Sequence, residues 1–242
     1  MSGRLAALGA PEALALTGLP RDAPAERPDV AVLLADAAGT DAGLKIRWFA
    51  GGPEPDPEAD RRIAPEGPAL WRRSPWPAAD ALFELPAPAA DAGTLVAGGS
   101  PARRAELVGA VSARGLPVSE LPELTPAGLE LADAVVLLPS EAVPGHALPL
   151  AAMAVLAARR MLLVPRLEVA FGLMPGIDHL QYTLSVEAAD LIESARRHRR
   201  AFAAMRIWGA VAAQRHRASF VWRRLALDLQ AEGLLPPSGT RR

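Results

Sequence analysis

Short apolar runs alternate with longer amphipathic stretches from residue 91 onward. The runs at 93–97, 117–121 and 134–138 have the length of buried strands, and each is followed by Gly, Pro or Asp signals and a helical pattern. The clearest unit covers residues 132–165, which consist of a buried strand, a Pro/Gly loop, an apolar helix and a second buried strand at 161–165. Strands and helices that alternate at this spacing predict an α/β fold with a Rossmann-like, doubly wound parallel sheet.

Capping signals predict where the helices of this half begin and end. Ser100 is placed as the N-cap of a helix over 102–114, with Pro following it and Gly115 ending the helix. Ser185 is placed as the cap of a helix that runs to about residue 198, with an acid in its first turn and arginines in its last. Apolar positions at helical spacing predict two further helices, over 199–214 and 219–230.

The first 90 residues have a weaker pattern. Apolar runs at 13–19, 30–34 and 44–50 each lie close to Pro, Gly or Asp, as short strands do, and a fourth strand is predicted at 79–85. Few helical residues separate these runs, so we expect a truncated α/β layer. The predicted organisation is therefore an abbreviated segment over 1–90 with a proline-rich loop from 53, a larger domain over 91–235, and a disordered tail over 236–242.

Arginine and tryptophan cluster in the proline-rich stretch, at Arg61-Arg62, Trp71-Arg72-Arg73 and Trp76. Two interpretations stay open at this point. Arginine beside exposed tryptophan can stack on a base or a sugar. Alternatively, this is a surface loop whose indole rings cover a hydrophobic edge.

Composition excludes several kinds of site. The 242-residue chain has no cysteine, which rules out disulfides, thiolate zinc sites and cysteine nucleophiles, and its net charge of −1 gives no reason to expect nucleic acid as a partner. It contains no Gly-x-Ser-x-Gly elbow, P-loop or His-Glu-x-x-His motif, and we expect no metal and no cofactor. The longest apolar run, 147–158, is shorter than the roughly 20 residues of a membrane span, and no export signal is recognisable at the start, so we expect a cytoplasmic protein.

Several segments, taken in order, carry a family resemblance. They are Leu-Val-Ala-Gly-Gly-Ser-Pro-Ala-Arg-Arg (95–104), Ala-Asp-Ala-Val-Val-Leu-Leu-Pro-Ser (132–140), Pro-Gly-His-Ala-Leu-Pro (144–149), Met-Leu-Leu-Val-Pro (161–165), Pro-Gly-Ile-Asp-His-Leu-Gln-Tyr (175–182) and Arg-His-Arg-Ala-Ser-Phe-Val-Trp-Arg-Arg-Leu (215–225). Over residues 91–230 the chain resembles the C-terminal, donor-binding half of GT-B glycosyltransferases, and most closely the family 1-like, or spore-protein-like, bacterial group.

The resemblance implies that a nucleotide sugar binds at the carboxyl ends of the strands. A glycine-rich turn with a nearby basic residue would contact the diphosphate, because glycine lets the backbone approach and guanidinium groups form charge-assisted bonds. The implied binding residues are Gly98, Gly99, Ser100, Arg103 and Arg104 in this turn, Ser140, Glu141, Gly145 and His146 in the central loop, and Gly176 and Asp178 in a later loop. The open alternative for the first turn is a plain strand-to-helix connection beside solvated arginines.

Two acids of the family pattern are missing from the central loop. Pro144 stands in the place of the first acid and Ala152, or Ala151 if the helix is shifted by one residue, in the place of the second. No residue is assigned a catalytic role. Of the four histidines, His146 is expected near a ligand, His179 in a structural role, and His198 and His216 in solvent. Two functions follow from the resemblance: a glycosyltransferase that transfers a sugar from a nucleotide-sugar donor to an acceptor, or a non-catalytic relative that acts as a binding or scaffold subunit of a glycosyltransferase complex or homo-oligomer.

Overall fold

A computed structural model describes ten segments of the chain. They are residues 5–8, 11–18, 30–34, 44–48, 61–64, 72–74, 76–89, 91–139, 148–166 and 172–235. The predicted disordered tail at 236–242, and Ser140, Glu141, Gly145 and His146 of the predicted site, lie outside them.

The described chain alternates between strands and helices. The strands are β1 (Leu5–Leu8), β2 (Val30–Leu34), β3 (Leu44–Trp48), β4 (Arg61–Ala64), β5 (Arg72–Arg73), β6 (Gly93–Gly98), β7 (Val118–Leu121), β8 (Ala132–Leu138), β9 (Met161–Pro165) and β10 (Leu180–Tyr182). The helices are α1 (Pro11–Thr17), α2 (Asp80–Phe83), α3 (Pro101–Ser112), α4 (Pro126–Leu131), α5 (Leu148–Ala157), α6 (Ser185–Arg197), α7 (Arg199–Gln214) and α8 (Ala218–Ala231).

The first sheet has five parallel strands in the order β1-β2-β3-β4-β5. Its strands contribute Val32, Ile46 and Ile63 to a fully buried apolar cluster. Trp76 is 1% exposed in the same cluster, so it packs in the core and is not available to stack on a ligand. Trp71 lies outside the described residues.

Three sequence predictions for this region are wrong. The run at 13–19 belongs to helix α1, the run at 79–85 contains helix α2, and the proline-rich stretch contains the strands β4 and β5. A short apolar run does not by itself distinguish a strand from a buried helix. Tertiary packing distinguishes the two possibilities for the run at 13–19: it forms helix α1, which packs against α5 of the second half and buries Leu16 there.

The second sheet confirms the predicted parallel, Rossmann-like architecture. Its order is β10-β9-β8-β6-β7, and every neighbouring pair is parallel. If the strands β6 to β10 are numbered 1 to 5 along the chain, their order in the sheet, read from β7, is 2-1-3-4-5. The chain therefore reverses direction across the sheet between β6 and β8, which is the switch point where ligands bind in doubly wound folds.

Helices cover both faces of the second sheet. On one face, α3 and α6 enclose an apolar cluster with Val96, Val136 and Leu163, and on the other α5 packs between the sheet and α7. β8 is buried over its whole length, as expected of a central strand in a parallel sheet. Among the described residues, no helix combines the length and apolar character that crossing a bilayer requires.

The last helix returns to the first sheet. Leu225 and Leu229 of α8 are buried in the same cluster as Trp76, and the amide of Ala218 donates to the carbonyl of Ala78 at 2.8 Å. Helix α8 therefore completes the core of the amino-terminal half, although it follows the carboxyl-terminal half in sequence. The domain boundary at residue 90 stays a prediction.

Helix α6 begins within one residue of the predicted position, but Ser185 is not its cap. Leu184 occupies the N-cap position without a side-chain capping bond, and the Ser185 hydroxyl instead donates to Glu106 Oε1 of α3 at 2.7 Å. Glu187 of the first turn accepts a hydrogen bond from the amide of Thr183 at 2.7 Å. Ser185 thus ties two helices together and does not cap its own.

Candidate functional site

The turn after β6 lies at the switch point of the second sheet. Gly98 and Gly99 both have a positive φ, of 85° and 60°. A β-carbon at Gly98 would lie 2.5 Å from the carbonyl oxygen of Leu138, and one at Gly99 would lie 2.7 Å from the Leu138 side chain. Only glycine fits here, because β8 ends directly against this turn.

Arg104 supports the same turn from within. Its Nη1 atom donates to the carbonyl oxygens of Gly98 and Gly99 at 3.1 and 2.8 Å, and the residue is 8% exposed. Its Nε atom lies 3.7 Å from Glu120 Oε2 at the end of β7. Nη1 of Arg104 is therefore bound to the glycine turn itself, which makes Arg104 a positioning residue for this turn.

Arg103 differs from its neighbour. It lies in the first turn of α3, which begins with Pro101 after Ser100 in the N-cap position, and its side chain is exposed. The Ser100 hydroxyl makes no capping bond to the helix. Successive helical residues point about 100° apart, which is why one arginine faces inward and the next faces outward. Arg103 is thus the exposed cation of this turn.

Tyr182 and Arg166 extend this edge, and the sequence analysis missed both. Arg166 follows β9, is exposed, and donates its amide hydrogen to the carbonyl of Tyr182 at 2.8 Å. Burial raises the pKa of Tyr182 well above its usual value, while the charge of Arg103 acts in the opposite direction. A basic residue directly after the apolar run at 161–165 was the available signal, since the carboxyl ends of parallel strands share one edge.

Helix α5, which follows the central loop, is apolar at the position where the resemblance to GT-B glycosyltransferases places the second acid. Ala152 is 2% exposed and belongs to the cluster between the sheet and α7. A carboxylate in this place would be buried among apolar groups without a partner. The described part of the site therefore contains no equivalent of that acid.

Gly176 and Asp178 lie at the opposite edge of the sheet. The register pairs Leu180 with Leu163, which pairs with Val136, so residue 178 is level with the start of β6. Four residues of strand, about 13 Å, separate that level from Gly98. The prediction that these two residues share a site with Gly98 is therefore wrong.

Asp178 has a structural role at that edge. Its Oδ1 and Oδ2 atoms lie 3.0 and 2.9 Å from the Met174 amide, from which they accept, and Oδ1 lies 2.7 Å from His179 Nδ1. Both Asp178 and His179 are buried. The pair closes the loop before β10, which agrees with the structural role predicted for His179.

His216 is buried, whereas the sequence suggested solvent. Burial, and secondly the charge of Arg215, lowers its pKa to about 4. Arg215 Nε donates to His216 Nε2 at 3.0 Å, and this places the imidazole proton on Nδ1. His216 is therefore neutral near pH 7 and joins α7 to α8, while His198 is exposed as predicted. In the described segments, no group of three or more His, Cys, Asp or Glu residues could hold a metal ion.

Solved structures share this architecture. The sucrose-phosphate synthase of Thermosynechococcus elongatus matches 85% of this chain over 74% of its own length, with a TM-score of 0.52 and 12% identity. HepE of Anabaena, solved in complex with UDP-glucose, matches 84% of this chain over 79% of its own, with a TM-score of 0.55 and 12% identity. No protein-family model and no curated protein matches the sequence. The chain therefore has the α/β, Rossmann-like fold of the GT-B glycosyltransferases.

Proposed function

We propose that this protein binds a nucleotide sugar through its diphosphate at the carboxyl edge of the second sheet and transfers the sugar to an acceptor. The observation that carries the proposal is the turn at Gly98 and Gly99, which lies at the switch point and is followed by the exposed Arg103. In parallel sheets of this order, ligands bind in the crevice outside the strand ends at the switch point.

The described residues supply the groups that a diphosphate needs. Arg103 and Arg166 are exposed cations at this edge, and the amino end of the 12-residue helix α3 carries a partial positive charge toward it. Arg104 holds the two glycine carbonyls toward itself, so their negative ends do not face the ligand. The complex of HepE with UDP-glucose supports a nucleotide sugar as the ligand class.

A second candidate function is that of a non-catalytic binding subunit. The buried position of Ala152 favours it, because a sugar or ribose hydroxyl would find no carboxylate there. Of the three described histidines, His179 lies at the opposite edge, and His198 and His216 flank helix α7. On this alternative the protein binds the nucleotide part of the donor and leaves transfer to a partner.

Isothermal titration calorimetry with UDP, GDP and their glucose conjugates tests the binding step. Arg103→Gln should weaken binding of a diphosphate by about ten- to a hundredfold, since a charge-assisted hydrogen bond contributes about 1.5–3 kcal/mol. Arg159→Gln is the matched control, because it removes the same charge from an exposed arginine in the turn before β9, at the opposite edge. Equal affinities of the two variants would contradict the proposed site, and no binding of any nucleotide would contradict both functions.

A transfer assay then separates the two functions. The bound nucleotide sugar is incubated with the protein, and release of the nucleotide is followed by chromatography with and without pooled carbohydrate and lipid acceptors. Turnover that Arg103→Gln lowers and Arg159→Gln leaves unchanged supports a glycosyltransferase. Binding without turnover under all conditions favours the non-catalytic subunit.

A further inference from the structure

Positive charge is concentrated near the carboxyl end of the chain. Residues 194–227 contain nine arginines and no acid, so this segment holds a charge of +9 while the rest of the chain holds −10. Three of these arginines pair with acids outside the segment: Arg197 with Glu193, Arg206 with Asp133 and Arg217 with Glu84. Positive charge that is not paired with an acid in this way, as at Arg200 and Arg215, attracts anionic surfaces. The segment covers the end of α6, all of α7 and most of α8.

Helix α7 also exposes large apolar side chains. Ile207, Trp208 and Val211 are each more than half exposed, and their spacing puts them on one stripe of the helix. The same stripe continues to Arg200 and Arg215 at its two ends, both exposed. The opposite side of α7 is fixed in the protein core through buried positions that include Met205, Gly209, Ala210 and Ala213. The stripe is therefore presented on a preformed helix.

A neighbouring loop adds to this apolar surface. The carbonyl oxygen of Asp178 lies 3.1 Å from where a β-carbon of Gly209 would be, so the loop before β10 passes directly against α7 beside Trp208. Met174 and Ile177 of this loop are 55% and 44% exposed. The acid of the loop, Asp178, is buried and accepts a hydrogen bond from the Met174 amide, so its carboxylate does not form part of the exposed surface.

We infer that the outer stripe of α7 and its C-cap, consisting of Arg200, Ile207, Trp208, Val211 and Arg215, docks the protein onto an anionic lipid surface. Arginines at the ends and Trp with aliphatic side chains between them are the composition of helices that lie in the membrane interface. Apolar groups enter the boundary of the acyl chains while the guanidinium groups remain at the lipid phosphates.

Other occupants fit these observations less well. A stable protein–protein interface takes about 20–30 residues a side, whereas this stripe with its neighbouring loop presents five large apolar side chains. A nucleic acid would use the arginines but would leave the aliphatic groups in water. A lipid surface uses both kinds of side chain and needs no shape complementarity.

Vesicle co-sedimentation tests the inference on the full chain. We expect binding to phosphatidylcholine vesicles that contain phosphatidylglycerol, little binding to pure phosphatidylcholine, and weaker binding as salt is raised. The double substitution Ile207→Ser with Trp208→Ser should lower the partition coefficient by about tenfold or more, because two large apolar side chains no longer leave water. Leu131→Ser, at a 78% exposed position on α4, is the matched control and should bind as the original protein does.

Three results would overturn the inference. The first is equal sedimentation with neutral and anionic vesicles, and the second is an unchanged partition coefficient for the double variant. The third is a lipid-free dimer in analytical ultracentrifugation that the double variant abolishes, because it would assign the stripe to a second copy of the chain. The substituted positions are exposed, so an unchanged circular dichroism melting curve verifies that the variant folds. Nucleotide binding is measured separately and does not enter this test.

Discussion

Replacing Arg104 by methionine isolates the contribution of the support beneath the glycine turn. Methionine keeps much of the volume of the side chain and removes the two hydrogen bonds to the carbonyls of Gly98 and Gly99. A hydrogen bond from a charged donor contributes about 1.5–3 kcal/mol, and partial rehydration of the carbonyls recovers some of this, so we expect a loss of about 2–4 kcal/mol. The pair with Glu120 adds little, because the glutamate is half exposed and 3.7 Å away.

The free energy of unfolding from urea titrations, followed by circular dichroism, measures this loss. In a chain of this size 1 kcal/mol corresponds to about 2–4 °C, so the melting temperature should fall by about 5–15 °C. Arg103→Met is the matched control, since the side chain is exposed at the next position, and it should change stability by less than about 0.5 kcal/mol. If both variants are destabilised equally, or Arg104→Met by less than about 1 kcal/mol, the reasoning is refuted.

Three further predictions concern the turn, the core and pH. Gly98→Ala should lower the free energy of unfolding in urea by about 3 kcal/mol, because strain at φ 85° adds to a clash with backbone. Gly115→Ala, at a position with open space around it, should lower it by about 1 kcal/mol. Equal losses would contradict the close approach of Leu138 to Gly98. Trp76→Ala should lower the free energy of unfolding by about 3–5 kcal/mol, and Trp208→Ala by less than about 0.5 kcal/mol. The reverse order in thermal melts would contradict the buried position of Trp76 and the exposed position of Trp208. The pKa of His216 falls from its usual 6.5 to about 4 on folding, so the unfolded chain takes up the proton first and stability is lost as pH falls below 6.5. Between pH 7 and 5 this loss is about 2 kcal/mol, and His216→Gln should show a correspondingly flatter dependence of unfolding free energy on pH.

Much of the second half could be predicted from local patterns. Ser100 lies at the N-cap of α3, which ends at Ser112, two residues before the predicted end, and α7 begins and ends at the predicted residues. Buried parallel strands are continuous apolar runs, which makes β8 and β9 visible in the sequence. The first half was harder, because its strands have two to five residues and its helix α1 is as short as a strand.

The site could be predicted only in part. The residues themselves predicted a strand-to-helix turn after β6, whereas its role in diphosphate binding was implied only by the family resemblance. The structure places this turn at the switch point of the second sheet. The sequence did not show which of the two adjacent arginines, Arg103 or Arg104, faces outward, since both have the same chemistry. Gly176 and Asp178 were assigned to the same site through the family resemblance, but their loop lies at the other end of the sheet.

The sequence alone determined the parallel second sheet, the helices that cover it and the glycine turn, because these depend on apolar periodicity and on residues with special backbone geometry. The tertiary structure decided what depends on long-range contact. Helix α8 returns to bury Trp76, Leu138 closes on Gly98, and Arg104 turns inward while Arg103 and Trp208 face solvent. Burial and partners are properties of the packed chain, and a local pattern cannot assign them when segments distant in sequence supply the neighbours.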